Sequence, residues 1–176
     1  MKSFNHVSYL WDESMAAEMA GDEVALLVYR SNLLGADLRL TNYGGGNTSC
    51  KAMAIDPLTG EEVEVMWVKG SGGDLGTMKR NGLAALYVDR LRSLKNIYKG
   101  MEQEDAMVEL FNHCIYDLAS KAPSIDTPLH GFLPFRSELH FADQSVACAE
   151  RACFDSHVSQ HADEQVRESG VLLGIV

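Results

Sequence analysis

The chain has 176 residues, 46% of them hydrophobic, which suits one domain with a sizeable buried core. Acidic residues outnumber basic ones 25 to 15, for a net charge of -10, and no five-residue window is dominated by Lys or Arg. That balance excludes a basic nucleic-acid surface and an attraction to anionic membranes, and it favours small molecules or proteins as partners. Cys50, Cys114, Cys148 and Cys153 include no Cys-x-x-Cys pair and suggest reduced thiols. The N-terminal "MKSFNHVSYLWDESM" carries early acids and no signal-like apolar run, and nothing approaches a membrane span, so a cytoplasmic location is expected.

In chain order, Ala20, Val24, Leu27, Val28 and Leu34 share one helical face, which predicts a helix over about 14–34, ended by Gly35 and Asp37. "TSCKAMAI" and "EEVEVMWVK" read as strands, the second with Val63, Val65 and Trp67 alternating. Between them "DPLTG" is a turn, with Asp and Pro to start it and Gly60 to supply a positive φ. Residues 48–69 are therefore predicted as a β-hairpin. Helical spacing recurs in Leu83, Tyr87, Leu91, Leu94 and Tyr98, and again in Met107, Phe111, Cys114, Ile115 and Leu118. In "KAPSIDTPLHGF", Ser124 is the expected N-cap of a helix holding Asp126 in its first turn, made short or irregular by Pro123 and Pro128. From Ser137 onward no strand-like alternation is visible, and this part is not expected in a sheet.

Both ends of the predicted hairpin carry glycine clusters, "YGGGNTS" before it and "VKGSGGDLG" after it, and antiparallel pairing makes them neighbours. Successive backbone N–H groups in such turns can converge on an anion. Asn47, Thr48 and Ser49 add side-chain donors, Lys69 and Ser71 a charge and a hydroxyl, and Ser124 a further hydroxyl. Glycine-rich turns more often simply turn the chain. The P-loop spacing is absent, and no compact βαβ dinucleotide unit is evident.

"GGGNTS", "VKGSGGDLG" and "PSIDTPLHGFLPFR", in that order, resemble the class II aldolase/adducin family. The resemblance is closest to the aldolase part of bifunctional rhamnulose-1-phosphate aldolase/alcohol dehydrogenases and covers about residues 5–136. It implies an α/β fold with a central, mainly antiparallel sheet flanked by helices, here truncated. It implies a cytoplasmic homo-oligomer that cleaves a phosphorylated ketose, with L-rhamnulose 1-phosphate giving dihydroxyacetone phosphate and L-lactaldehyde. The family's phosphate-binding positions fall on Gly46, Asn47, Ser71, Gly72 and Ser124, and its acid/base on Asp126. Where relatives often carry a second serine, this chain has Ile125.

The family holds zinc, a Lewis acid for the enediolate, with three histidines that begin as His-x-His. His140 stands near the first ligand position, but residue 142 is Ala142. The expected division is therefore residues 1–136 as the aldolase-like part and 137–176 as a tail unlike the family, from a shifted frame or an alternative end. Within that tail, Cys153, His157 and His161 keep i, i+4, i+8 spacing, which more often marks a solvated helix face than a metal clip. The alternatives are a non-catalytic adducin-like binding module and a related phosphosugar epimerase or dehydratase.

Overall fold

The computed structural model of the chain describes residues 10–37, 41, 45–100, 102, 104–141 and 171–175. The predicted hairpin forms β1 (Asn47–Ile55) and β2 (Glu62–Lys69), paired antiparallel with Ser49 opposite Val68 and Ile55 opposite Glu62. Its turn follows the local chemistry. Asp56 Oδ1 accepts from the N–H groups of Leu58 (2.8 Å) and Thr59 (2.9 Å), and Gly60 has φ +75°.

Three further strands complete the sheet: β3 (Leu83–Tyr87), β4 (Ser137–Phe141) and β5 (Val171–Ile175). The order is β3-β2-β1-β4-β5, antiparallel throughout except for the parallel pair β4–β5. The sheet is thus central and mainly antiparallel, with helices on both faces, as the resemblance implied.

Two helices precede it. In place of one helix over 14–34 there are α1 (Glu13–Glu18) and α2 (Glu23–Gly35). The break has a local cause, because Gly21 takes φ +91° and Asp22 then caps α2 by accepting from Val24 N (3.1 Å) and Ala25 N (3.0 Å). Asp12 caps α1 in the same way. Val24 and Leu27 of α2 pack with Cys50, Met78 and Leu83 on one face of the sheet. Burial pushes the Cys50 thiol up to about 12, as befits an inert core cysteine.

The opposite face buries Met66, Val68, Ala84 and Leu86 under α3 (Val88–Ser93) and Phe111 and Cys114 of the segment after α4 (Glu104–Leu110). The helix expected from Leu83 through Tyr98 is here a strand that turns into α3. "LAALY" lies on β2 with Leu83 opposite Lys69 and Tyr87 opposite Val65, and Leu83 to Leu86 are all buried. A centre buried on both faces loses its alternation, so its pattern mimics a helix, and sheet pairing overrides the helical preference of Leu and Ala. The second expected helix also ends early: α4 passes into a 3₁₀ turn over Phe111–Cys114, and Leu118 is exposed.

Helix α5 (Thr127–Phe132) is short, with Pro128 in its first turn. Its N-cap is Asp126, not Ser124, and the Asp126 side chain makes no capping bond. Gly131 lets α5 sit against α3, since a Cβ there would lie 2.1 Å from Leu91 Cδ2. The segment after Arg136 does join the sheet, with Ser137 to His140 paired opposite Cys50 to Asn47. Glu138 to Phe141 do alternate, but over only four residues and with a partner strand about 90 positions away, so the pattern alone did not place β4.

Candidate functional site

The two glycine clusters and the loop before α5 meet at one end of the hairpin. Gly70 bridges to Pro123, and Ser71 N donates to Ala122 O (3.4 Å). At the centre is Asn47, the first residue of β1 and 1% exposed. Its Nδ2 donates to Ser124 Oγ (2.7 Å) and to Asp126 Oδ2 (2.9 Å), while its Oδ1 accepts from Thr48 N (2.8 Å). Residues 77 and 79 positions apart in the chain are therefore joined through one amide.

Of the expected phosphate positions, Asn47 and Ser124 are in direct contact and buried. Gly46 (φ +75°) and Gly72 (φ +73°) take the left-handed conformation that favours glycine. Gly72 and Ser71 lie on the exposed side, and a Cβ on Gly72 would meet nothing within 4 Å. Gly76 has a different duty. Gly76 and Gly35 pack backbone to backbone, and a Cβ on Gly76 would lie 2.8 Å from Gly35 O. The last glycine of the second cluster thus seats the loop on α2.

Both Nδ2 hydrogens of Asn47 are engaged, so its amide acts first as a clasp between Ser124 and Asp126. It can reach a ligand directly by exchanging one of those partners. Lys69 is more than a strand-end charge: it is 5% exposed. Burial pulls its ammonium below the usual lysine value, opposed by the carboxylates of Asp126 and Asp74 and reinforced by Lys121. Lys69 thus places a poorly solvated cation near the carboxylates of Asp126 and Asp74 at this end of the hairpin.

Three polar residues that sequence reasoning left without a specific partner complete the surroundings. Ser49 Oγ is 2.9 Å from His130 Nδ1, both buried. Lys51 Nζ donates to the carbonyls of Leu133 (2.7 Å) and Phe135 (2.9 Å). Alternation in Asn47, Ser49 and Lys51 was a visible signal, because a strand presents i, i+2 and i+4 to one side.

His140 stands opposite Asn47 in the β1–β4 register. Cys153, His157 and His161 lie outside the described residues. Among the described residues no three His, Cys, Asp or Glu side chains come together as a metal site. The described donors therefore do not fit a complete zinc centre. Cys50 and Cys114 are free and buried.

No protein-family model matches the chain. A curated protein of Bacillus subtilis (strain 168), "Uncharacterized oxidoreductase YuxG", is 44% identical over 147 residues, which is 82% of this chain and 21% of that protein. The chain spans about a fifth of that relative, whose name describes the whole longer protein. Among solved structures, the N-terminal class II aldolase domain of a conserved protein from Thermoplasma acidophilum matches with a TM-score of 0.68 at 26% identity, over 92% of this chain and 70% of that one. The chain thus has the α/β fold of a class II aldolase domain, with a mainly antiparallel sheet flanked by helices, and that fold supports an aldolase-like function.

Proposed function

We propose that this chain carries the phosphosugar-holding part of an aldolase acting on a ketose 1-phosphate, with L-rhamnulose 1-phosphate as the substrate. The supporting observation is the Asn47 clasp, which gathers Ser124 and Asp126 at the end of the hairpin where Ser71 also meets the loop before α5. In this reading the phosphate takes hydrogen bonds from backbone N–H groups near Gly46 and Gly72 and from the hydroxyls of Ser71 and Ser124. Lys69 supplies the positive charge. Phosphate binding, remote from the reacting carbons, positions the C3–C4 bond.

Cleavage of that bond needs the C4 hydroxyl to lose its proton as the aldehyde forms. The bonding pair passes to C3 and is shared with the C2 carbonyl oxygen. C3 then takes a proton, giving dihydroxyacetone phosphate and L-lactaldehyde. Asp126, half-buried at the start of α5, is the carboxylate assigned to proton movement. Zinc dependence, with His140 as one ligand, and a cytoplasmic homo-oligomer belong to the same proposal.

The test is titration calorimetry of the purified chain with dihydroxyacetone phosphate, followed by a cleavage assay on L-rhamnulose 1-phosphate with added zinc and with a chelator. Saturable binding of dihydroxyacetone phosphate is expected, with little or no release of L-lactaldehyde, because the described donors do not complete a zinc site. A chain that binds neither dihydroxyacetone phosphate nor inorganic phosphate overturns the reading. Chelator-sensitive cleavage by this chain would show that residues outside the described ones complete the metal site.

A further inference from the structure

Three side chains on one face of β1 reach three successive levels of α5. Asn47 meets Asp126, the N-cap of the helix. Ser49 meets His130, four residues further on. Lys51 meets the carbonyl of Leu133, the C-cap, and that of Phe135 beyond it. The spacings agree for a geometric reason. Two residues of a strand advance about 6.7 Å, and four residues of a helix advance about 6 Å. A strand's i, i+2 pair therefore lies level with a helix's i, i+4 pair. On its far side α5 is pressed against Leu91 through Gly131. The helix is held between an apolar contact, which tolerates sliding, and a polar ladder, which does not.

The middle rung is the least exposed to exchange with solvent. Ser49 and His130 are each 1% exposed, and their contact joins β1 to the body of α5 rather than to its ends. The upper rung holds Asp126, the group assigned to the site.

We propose that Ser49 and His130 are positioning residues: their contact sets where α5 stands along β1 and so aims the Asp126 carboxylate at the Asn47 amide. This rests on the assignment of Asn47 and Asp126 to the site. It extends that assignment to two buried residues with no path to the substrate.

The experiment follows the two side-chain amide protons of Asn47 by NMR in the full chain, alongside circular dichroism and calorimetry with dihydroxyacetone phosphate. Ser49→Ala removes one oxygen, His130→Phe removes both ring nitrogens, and His130→Asn keeps a polar atom near the place of Nδ1. In Ser49→Ala and His130→Phe the Asn47 amide signals move toward those of a free asparagine, with helix and sheet content retained. Affinity for dihydroxyacetone phosphate falls about threefold to tenfold, the range for one lost hydrogen bond. His130→Asn restores both readouts. Unmoved Asn47 signals in a folded Ser49→Ala overturn the proposal, as does an Asn variant at position 130 that behaves like the Phe variant. If His130→Phe fails to fold, Ser49→Ala and His130→Asn still decide. Asn47 signals that shift as expected in a protein whose parent form binds no dihydroxyacetone phosphate support the positioning role while rejecting the phosphosugar reading.

Discussion

The two ends of the β1–β2 hairpin use the same residue types in opposite ways. At the closed end, Asp56 bonds the backbone of Leu58 and Thr59, its near neighbours in sequence, and Gly60 turns into open space. At the open end, Asp126 bonds a residue 79 positions away, and Gly35 and Gly76 press backbone on backbone. The closed end is built mainly from local chemistry, with one longer reach, the Tyr87 hydroxyl donating to Asp56 Oδ2 (2.8 Å). The open end exists only when β1, the loop after β2, α2 and α5 are all in place. The contrast separates a turn from a site.

The largest expected effect tests that contrast at its glycines. A Cβ on Gly35 would lie 2.1 Å from Gly76 N and 2.5 Å from Leu75 C, both backbone atoms that cannot swing aside. Gly35→Ala should cost about 3 kcal/mol by overpacking, a large part of a typical domain's stability. Gly60→Ala meets nothing within 4 Å and is strained by its φ of +75° alone. It should cost about 1 kcal/mol. Urea denaturation of the two variants checks the ranking; equal losses would erase the distinction between the ends.

Asn47→Ala comes next. It leaves Ser124 and Asp126 without their shared donor. An affinity loss for dihydroxyacetone phosphate of about 1–3 kcal/mol is expected, the cost of unpaired buried polar groups. Calorimetry showing unchanged affinity would remove the clasp from the site.

The smallest effect concerns the closed end and pH. The Asp56 carboxyl is held below its ordinary 3.8, first by the Thr59 N–H, then by the Tyr87 hydroxyl and the Leu58 N–H. A carboxyl depressed in the folded state stabilises above its unfolded value, and that contribution is lost as pH falls through the lower folded value. Asp56→Ala should therefore lower Tm at pH 7, and the gap from the parent chain should narrow below pH 3.8. A gap constant down to pH 2 would show that the Asp56 charge contributes nothing there.

How much of this was legible follows from the range of each interaction. The hairpin, its turn and the meeting of the two glycine clusters come from period-2 alternation and turn chemistry, whose causes lie within a few residues. The break at Gly21 and Asp22 was missed, although its signal is just as local: a glycine followed by a capping Asp precedes Val24 and Ala25. Strand β3 was not. Leu83 to Leu86 are buried on both faces, and a uniformly apolar run carries no period. Nor was β4, whose partner, the start of β1, lies about 90 residues away.

At the site, residue types were legible and their duties were not. Hydroxyls and glycines at the hairpin's open end marked it as the candidate site. That Lys69 is buried, that Asn47 spends both its N–H groups on Ser124 and Asp126, and that Ser49 meets His130 all depend on where α5 docks. Docking is decided by apolar contact and by the matched advance of strand and helix. The sequence alone determined which groups were available; the tertiary structure decided which of them meet, because each such contact joins segments that no local period connects.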